Sequence, residues 1–145
     1  MSNQICYDYQ VKLRFRDMDS YGIVHHSNHF SYFEEARCNF AKDCLDFTDG
    51  MIQGETIQFP VLEATCKYRK AITYGLNQMT IHLKFQLLDN CKLQFDYSIV
   101  DDSNTVYAKA RTIHALVVDG KLCLSYPDWI WEKVEAYEAR QIIAK

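Results

Sequence analysis

The hydrophobic period of this chain changes twice, and those changes restrict its fold more than any other feature. Residues 6–16, CYDYQVKLRFR, put Tyr7, Tyr9, Val11, Leu13 and Phe15 at alternate positions, the pattern of a strand with one apolar face. Residues 17–26, DMDSYGIVHH, break the alternation with Asp, Ser and Gly and read as a loop. Over 27–45 the period becomes helical, and Phe30, Phe33, Arg37, Phe40, Ala41 and Cys44 share one stripe. Ser27 or Asn28 can cap its start, Ser31 with Glu34 fits a capping box one turn on, and residues 47–50, FTDG, mark the exit. Alternation then returns in four runs, at 59–68, 78–88, 92–100 and 106–118. Asp89-Asn90, residues 101–104 and Asp119-Gly120 separate or end these runs with turn chemistry. Ile81, Leu83, Phe85 and Leu87 alternate with polar residues, as do Leu93, Phe95, Tyr97 and Ile99, so these are antiparallel strands buried on one face. Residues 128–143 form a closing helix behind Pro127. One apolar helix laid on one curled antiparallel sheet is an α+β solution. The length of 145 residues, without repeat or linker, suits a single domain over 1–145.

Charge and cysteine usage narrow the function classes. The net charge is -3, and the sixteen Lys and Arg form no block, which argues against a nucleic-acid partner and leaves a small anionic ligand open. No basic-then-apolar leader and no run of about 18 apolar residues is present, so neither a signal peptide nor a membrane partner is expected. The six cysteines, at 6, 38, 44, 66, 91 and 123, form no CxxC pair and read as free thiols of a cytoplasmic protein. Cys38 and Cys44 fall on the helix, where core packing is the ordinary role.

The chemistry concentrates in residues 14–37, RFRDMDSYGIVHHSNHFSYFEEAR. Asp17 and Asp19 lie in a loop that runs into a helix start. A helix N-terminus offers unpaired N–H groups and partial positive charge, which polarise a carbonyl oxygen. A carboxylate beside that carbonyl can attack it or activate water. These are the parts of an ester or thioester hydrolase, although an Asp-x-Asp loop alone is more often a turn device.

The segment Asp17-Met18-Asp19-Ser20-Tyr21-Gly22-Ile23-Val24-His25-His26-Ser27-Asn28-His29-Phe30, followed by Glu34-Glu35-Ala36-Arg37, resembles the 4-hydroxybenzoyl-coenzyme A thioesterase family. That resemblance implies a hotdog fold, a long central helix wrapped by a curved antiparallel sheet. It implies Asp19 as the catalytic carboxylate and the His26 backbone N–H as the donor that polarises the thioester. It implies Gly22 as the residue that turns the loop past the substrate, Asn28 as a substrate-side position, and Glu34 with Arg37 as the helix's acidic and basic pair. This sequence departs from the family with His25 in place of an aromatic and His29 in place of Tyr. Lys70 replaces a Pro, and no Asp occurs at 74–76. These departures bear on the substrate more than on the reaction.

The other residues have plainer readings beside these. Asp17 suits a structural hydrogen-bonding role. Arg37 on an apolar stripe needs a partner, and Glu34, three residues away, is expected to supply it. His25 and His29 have the spacing of a metal-ligand pair, but no Cys or carboxylate completes a recognised zinc pattern, so no metal or other cofactor is expected. Arg69 and Lys70, with Lys67, Lys109 and Arg111, can meet the phosphates of coenzyme A or form a solvated sheet face. The open sheet edge and the resemblance together imply a homodimer or homotetramer with the site between subunits. The expected activity is hydrolysis of a short-chain or aromatic acyl-CoA. Hydrolysis of acyl carrier protein thioesters and a non-catalytic acyl-CoA-binding module are the alternatives.

Overall fold

Alternating side chains in the strand runs leave one face apolar, and the computed structural model buries that face against a single long helix. It describes residues 3–76 and 78–144. The elements are β1 (Gln4–Lys12), α1 (His26–Leu45), β2 (Met51–Ile52), β3 (Glu55–Gln58), β4 (Val61–Tyr68), β5 (Gln78–Leu87), β6 (Leu93–Val100), β7 (Val106–His114), β8 (Val117–Val118), β9 (Lys121–Leu122) and α2 (Asp128–Ala144). The main sheet is antiparallel, in the order β1-β5-β6-β7-β4, and a smaller sheet runs β2-β3-β8-β9. The expected α+β architecture, a long helix on a curved antiparallel sheet, is what the chain adopts. Met1, Ser2 and Lys145 of the expected domain lie outside the described residues, as does Asn77.

The core forms where α1 crosses the sheet. Phe40 of α1 meets Phe85 of β5 and Phe95 of β6, with ring centroids 4.9 and 5.7 Å away, and Phe33 meets Tyr97 of β6 at 4.9 Å. Of the helical stripe read from the sequence, Phe33, Phe40, Ala41 and Cys44 are buried while Phe30 and Arg37 are half-buried; Tyr32 and Ala36, outside that stripe, are buried as well. Burying an aromatic of this size contributes roughly 2–3 kcal/mol.

Three boundaries differ from the sequence expectation, each for a local reason. The first strand stops at Lys12 rather than continuing to residue 16. A 3-10 turn over Phe15–Asp17 follows, because the buried Asp17 carboxylate captures Arg14 Nε at 2.9 Å and Tyr32 Oη at 2.8 Å and draws the chain inward. The helix is capped by neither Ser27 nor Asn28: the His25 side chain accepts from the Ser27 N–H, an imidazole in the place usually held by Ser or Asp. The run at 106–118 is broken after His114. There His114 Nδ1 meets the Phe59 carbonyl at 2.9 Å and the Ala115 N–H bonds the Pro60 carbonyl at 3.0 Å, which diverts β8 to pair with β3.

β4 closes one end of the main sheet. Every one of its residues is exposed except Cys66, which is half-buried. Val61, Leu62 and Tyr68 are thus left open on a strand with an unpaired edge.

Candidate active site

The Asp17–Val24 loop is a short hairpin tied at both ends. Met18 bridges Val24, the Asp19 N–H bonds the Ile23 carbonyl at 2.8 Å, and the Gly22 N–H bonds the Asp19 carbonyl at 3.1 Å. Gly22 closes this turn at φ +78, a left-handed conformation that glycine adopts without strain. Asp19 Oδ1 accepts from the Tyr21 N–H at 2.8 Å and the Ile23 N–H at 3.4 Å. The carboxylate is therefore held by its own turn through one oxygen, and Oδ2 has no hydrogen bond among the described residues.

The loop is locked to the front of α1 by Asp17. Its carbonyl accepts from the His25 N–H at 3.0 Å and from Asn28 Nδ2 at 2.9 Å, while its carboxylate holds Arg14 and Tyr32. Arg14 continues to Glu35 at 2.7 Å. Asp17 thus has the structural role its position suggested. At the helix start the Ser27 N–H goes to the His25 ring and the Asn28 N–H to the His25 carbonyl. The His26 N–H has no partner among the described residues. An N–H in this position is an unpaired donor by the geometry of a helix end, with the positive end of the dipole behind it.

Asp19 and His26 line one cleft of about 600 Å³, with Ser20, Val24, His29 and the run Tyr68–Ile72. Val24 and Ile72 are buried and form an apolar wall. Tyr68 from β4 donates to the His26 carbonyl at 3.1 Å, and its ring stands edge-on to His29 at 4.7 Å. His29 is only 4% exposed, and its Nδ1 has no hydrogen-bond partner among the described residues. Burial lowers its pKa, so the ring is held neutral.

The cleft gathers some of the residues singled out in the sequence and not others. Asp19, His26, Arg69 and Lys70 line it; Gly22, Asn28, Glu34 and Arg37 do not. Gly22 and Asn28 instead shape and clamp the loop. The expected Glu34–Arg37 pair is absent among the described residues. Glu34 is exposed, and Arg37 Nη1 donates to Tyr97 Oη at 3.1 Å, because the sheet brings that phenol beneath the helix. From there a buried chain of hydrogen bonds runs across β6 and β7: Tyr97 Oη to Thr112 Oγ1 at 2.7 Å, Thr112 Oγ1 to His114 Nε2 at 2.8 Å, and His114 Nδ1 to the Phe59 carbonyl. Among the described residues, no group of three His, Cys, Asp or Glu that includes His25 and His29 could hold a metal ion. Tyr68 and the His25 cap were not singled out in the sequence. Tyr68 carried a usable signal, as an inward aromatic one pleat before Arg69 and Lys70.

Residues 13–134 of the chain match the thioesterase-like superfamily. A protein of Aquifex aeolicus named only as a candidate esterase is 35% identical over 124 residues, covering 86% of this chain and 94% of the relative. The 1,4-dihydroxy-2-naphthoyl-CoA hydrolase of Thermosynechococcus vestitus is 25% identical over 126 residues, covering 83% of this chain and 77% of its own. A solved structure from Aquifex aeolicus, 31% identical, superimposes with a TM-score of 0.72 over 88% of this chain and 98% of that one. A 1,4-dihydroxy-2-naphthoyl-CoA thioesterase from Synechocystis, at 17% identity, shares the fold with a TM-score of 0.75 over 89% and 95% of the two chains. By its sheet, its helix and these matches, the chain belongs to the thioesterase-like superfamily and is a hotdog-fold thioester hydrolase.

Proposed function

We propose that this protein hydrolyses the thioester of a short-chain or aromatic acyl-CoA, giving the free acid and coenzyme A. One observation carries the reading: Asp19 and His26, whose N–H has no partner among the described residues, line the same cleft. The His26 N–H would receive the thioester oxygen, where negative charge builds as the carbonyl is attacked. Asp19 Oδ2 would attack the carbonyl carbon, expelling the coenzyme A thiolate and leaving a mixed anhydride for water to cleave, or take the proton of an attacking water. Either route balances with one water consumed. The apolar wall of Val24 and Ile72 suits a short or flat acyl group.

The whole chain would act as one domain in a homodimer or homotetramer. The bare edge of β4 supports this, since an exposed strand edge with Val61, Leu62 and Tyr68 open invites a second copy. The same strand carries Tyr68 into the cleft, so a partner paired there would stand beside the site. Among the described residues all six cysteines are free, and no helix is long and apolar enough to cross a membrane; the free thiols support a cytoplasmic setting.

The test is release of free thiol from short, long and aromatic acyl-CoA substrates, with Asp19→Asn alongside. Asparagine keeps an oxygen for the Tyr21 and Ile23 N–H groups, so the turn survives while the negative charge is lost. The expected fall in kcat is about a hundredfold or more. Turnover near the wild-type value on the best substrate removes Asp19 from the mechanism.

A further inference from the structure

The first turn of α1 is tied down from two sides. On the loop side, the Asp17 carbonyl takes the His25 N–H at 3.0 Å and Asn28 Nδ2 at 2.9 Å. On the sheet side the tie is Tyr68, the last residue of β4, whose hydroxyl donates to the His26 carbonyl at 3.1 Å. The Tyr68 ring stands edge-on to two imidazoles, its centroid 4.7 Å from that of His29 and 6.2 Å from that of His26. These contacts hold the phenol in place. Partial burial and the neighbouring Cys66 raise its pKa, so the hydroxyl keeps the proton it donates.

This bond is poorly placed to stabilise the fold. Tyr68 is 46% exposed, and a hydrogen bond open to water adds little, because water offers the same partners. A buried group with a greater need of a partner lies beside it. The His25 and His26 carbonyls, one turn back, favour a proton on the His29 ring, yet His29 Nδ1 is enclosed and has no hydrogen bond among the described residues. An enclosed polar atom without a partner is costly and calls for a reason. A carbonyl can accept twice, so Tyr68 does not exclude His29. The turn is instead held where the exposed phenol reaches the carbonyl and the buried imidazole does not. The residue held in this way, His26, lines the cleft with Asp19, and its own N–H has no partner among the described residues.

We propose that Tyr68 is a positioning residue for thioester hydrolysis: by holding the His26 carbonyl it fixes the first turn of α1, and with it the N–H that receives the thioester oxygen. The inference rests on the reading above, in which that N–H is the donor. Such a donor works by being fixed before charge develops, so that nothing has to reorganise as the carbonyl is attacked. A looser first turn loses stabilisation of the transition state and leaves substrate binding in place.

The test is Tyr68→Phe, which keeps the ring against both histidines and deletes only the hydroxyl. On the best acyl-CoA substrate kcat is expected to fall about tenfold with KM unchanged, less than the roughly hundredfold or greater loss that follows removal of an oxyanion donor itself. The melting temperature is expected to stay within about 2 °C of wild type, since the bond is open to water. Backbone amide relaxation measured by NMR is expected to show His26 rigid in wild type and looser in the variant. The Asp19 and Val24 amides, bonded to the Ile23 and Ile72 carbonyls, stay as they were. Turnover at the wild-type rate overturns the proposal. So does a raised KM at unchanged kcat, which would make Tyr68 a substrate contact, and so does a fall in kcat matched by a large loss of stability. If wild type hydrolyses no acyl-CoA, the hydrolase reading fails and the relaxation data decide alone: a loosened His26 supports the positioning role, and an equally rigid one overturns it.

Discussion

Thr112 is the residue on which the buried polar chain under α1 turns, and its replacement gives the sharpest test of how that chain is polarised. The Phe59 carbonyl can only accept, so His114 Nδ1 carries the proton and donates to it. Burial lowers the His114 pKa and keeps the ring neutral, which leaves Nε2 as an acceptor. The Thr112 hydroxyl must then donate to Nε2 and accept from the Tyr97 hydroxyl, whose oxygen accepts from Arg37. Every bond points the same way, from the helix to the Phe59 carbonyl.

Thr112→Val keeps the shape and the β-branching that strands favour, yet it strips two partners at once. The His114 Nε2 lone pair, in a residue with 0% exposure, loses its donor; the Tyr97 hydroxyl, in one with 2%, loses its acceptor. Each stranded group costs about 1–3 kcal/mol, partly offset by roughly 1 kcal/mol of added apolar burial, so a net loss of about 3 kcal/mol is expected. Thr112→Ser keeps the hydroxyl and deletes one buried methyl, for about 1 kcal/mol. Thermal unfolding should drop by about 6–12 °C for the valine variant and about 3 °C for the serine variant. Urea titrations with unchanged m-values would report the same order in free energy. Hydrophobic burial alone predicts the reverse order. A valine variant as stable as wild type would refute the directional chain.

Other perturbations probe the loop and the protonation states. Asp17→Asn weakens two charge-assisted bonds to Arg14 and Tyr32 at a buried position and should cost about 2 kcal/mol in urea unfolding; it should also lower kcat, because Asp17 holds the Asp19 hairpin on the helix. An Asp17→Asn enzyme with full activity and stability would show that the hairpin needs no such clamp. Gly22→Ala forces a side chain into φ +78 with open space around it, so strain alone should cost about 1 kcal/mol in a thermal melt, and no loss would mean the turn relaxes freely. His29 and His114 both have pKa values lowered by burial, so the folded state binds fewer protons than the unfolded chain below about pH 6.5. Stability is therefore level above that pH and falls as the solution is acidified, by up to about 2 kcal/mol per histidine between pH 7 and pH 5. Urea midpoints that hold steady over that interval would contradict buried neutral rings.

What could be read from the sequence divides along a physical line. The strands at 78–88 and 92–100 and the stripe of α1 were legible because each depends on a local period set by one solvated and one buried face. The Asp19 turn was legible as a tight loop leading into a helix because Asp, Gly and a following helix start are neighbours in the chain. Partners brought together by the sheet were not. Arg37 seemed to call for Glu34, its neighbour on the helix, but found Tyr97, sixty residues away. The helix cap passed over Ser27 and Asn28 because the histidine ring at position 25 accepts from the Ser27 N–H, which starts the helix at His26. The break after His114 lay hidden because the Phe59 and Pro60 carbonyls that cause it come from the far side of the sheet. Yet the inward face of β7 reads Ala108, Ala110, Thr112, His114, two small apolar residues and then two polar ones. Polar side chains on a buried face must find partners there. Such a run on a strand's apolar register marks a crossing hydrogen-bond chain before the residues that complete it are known.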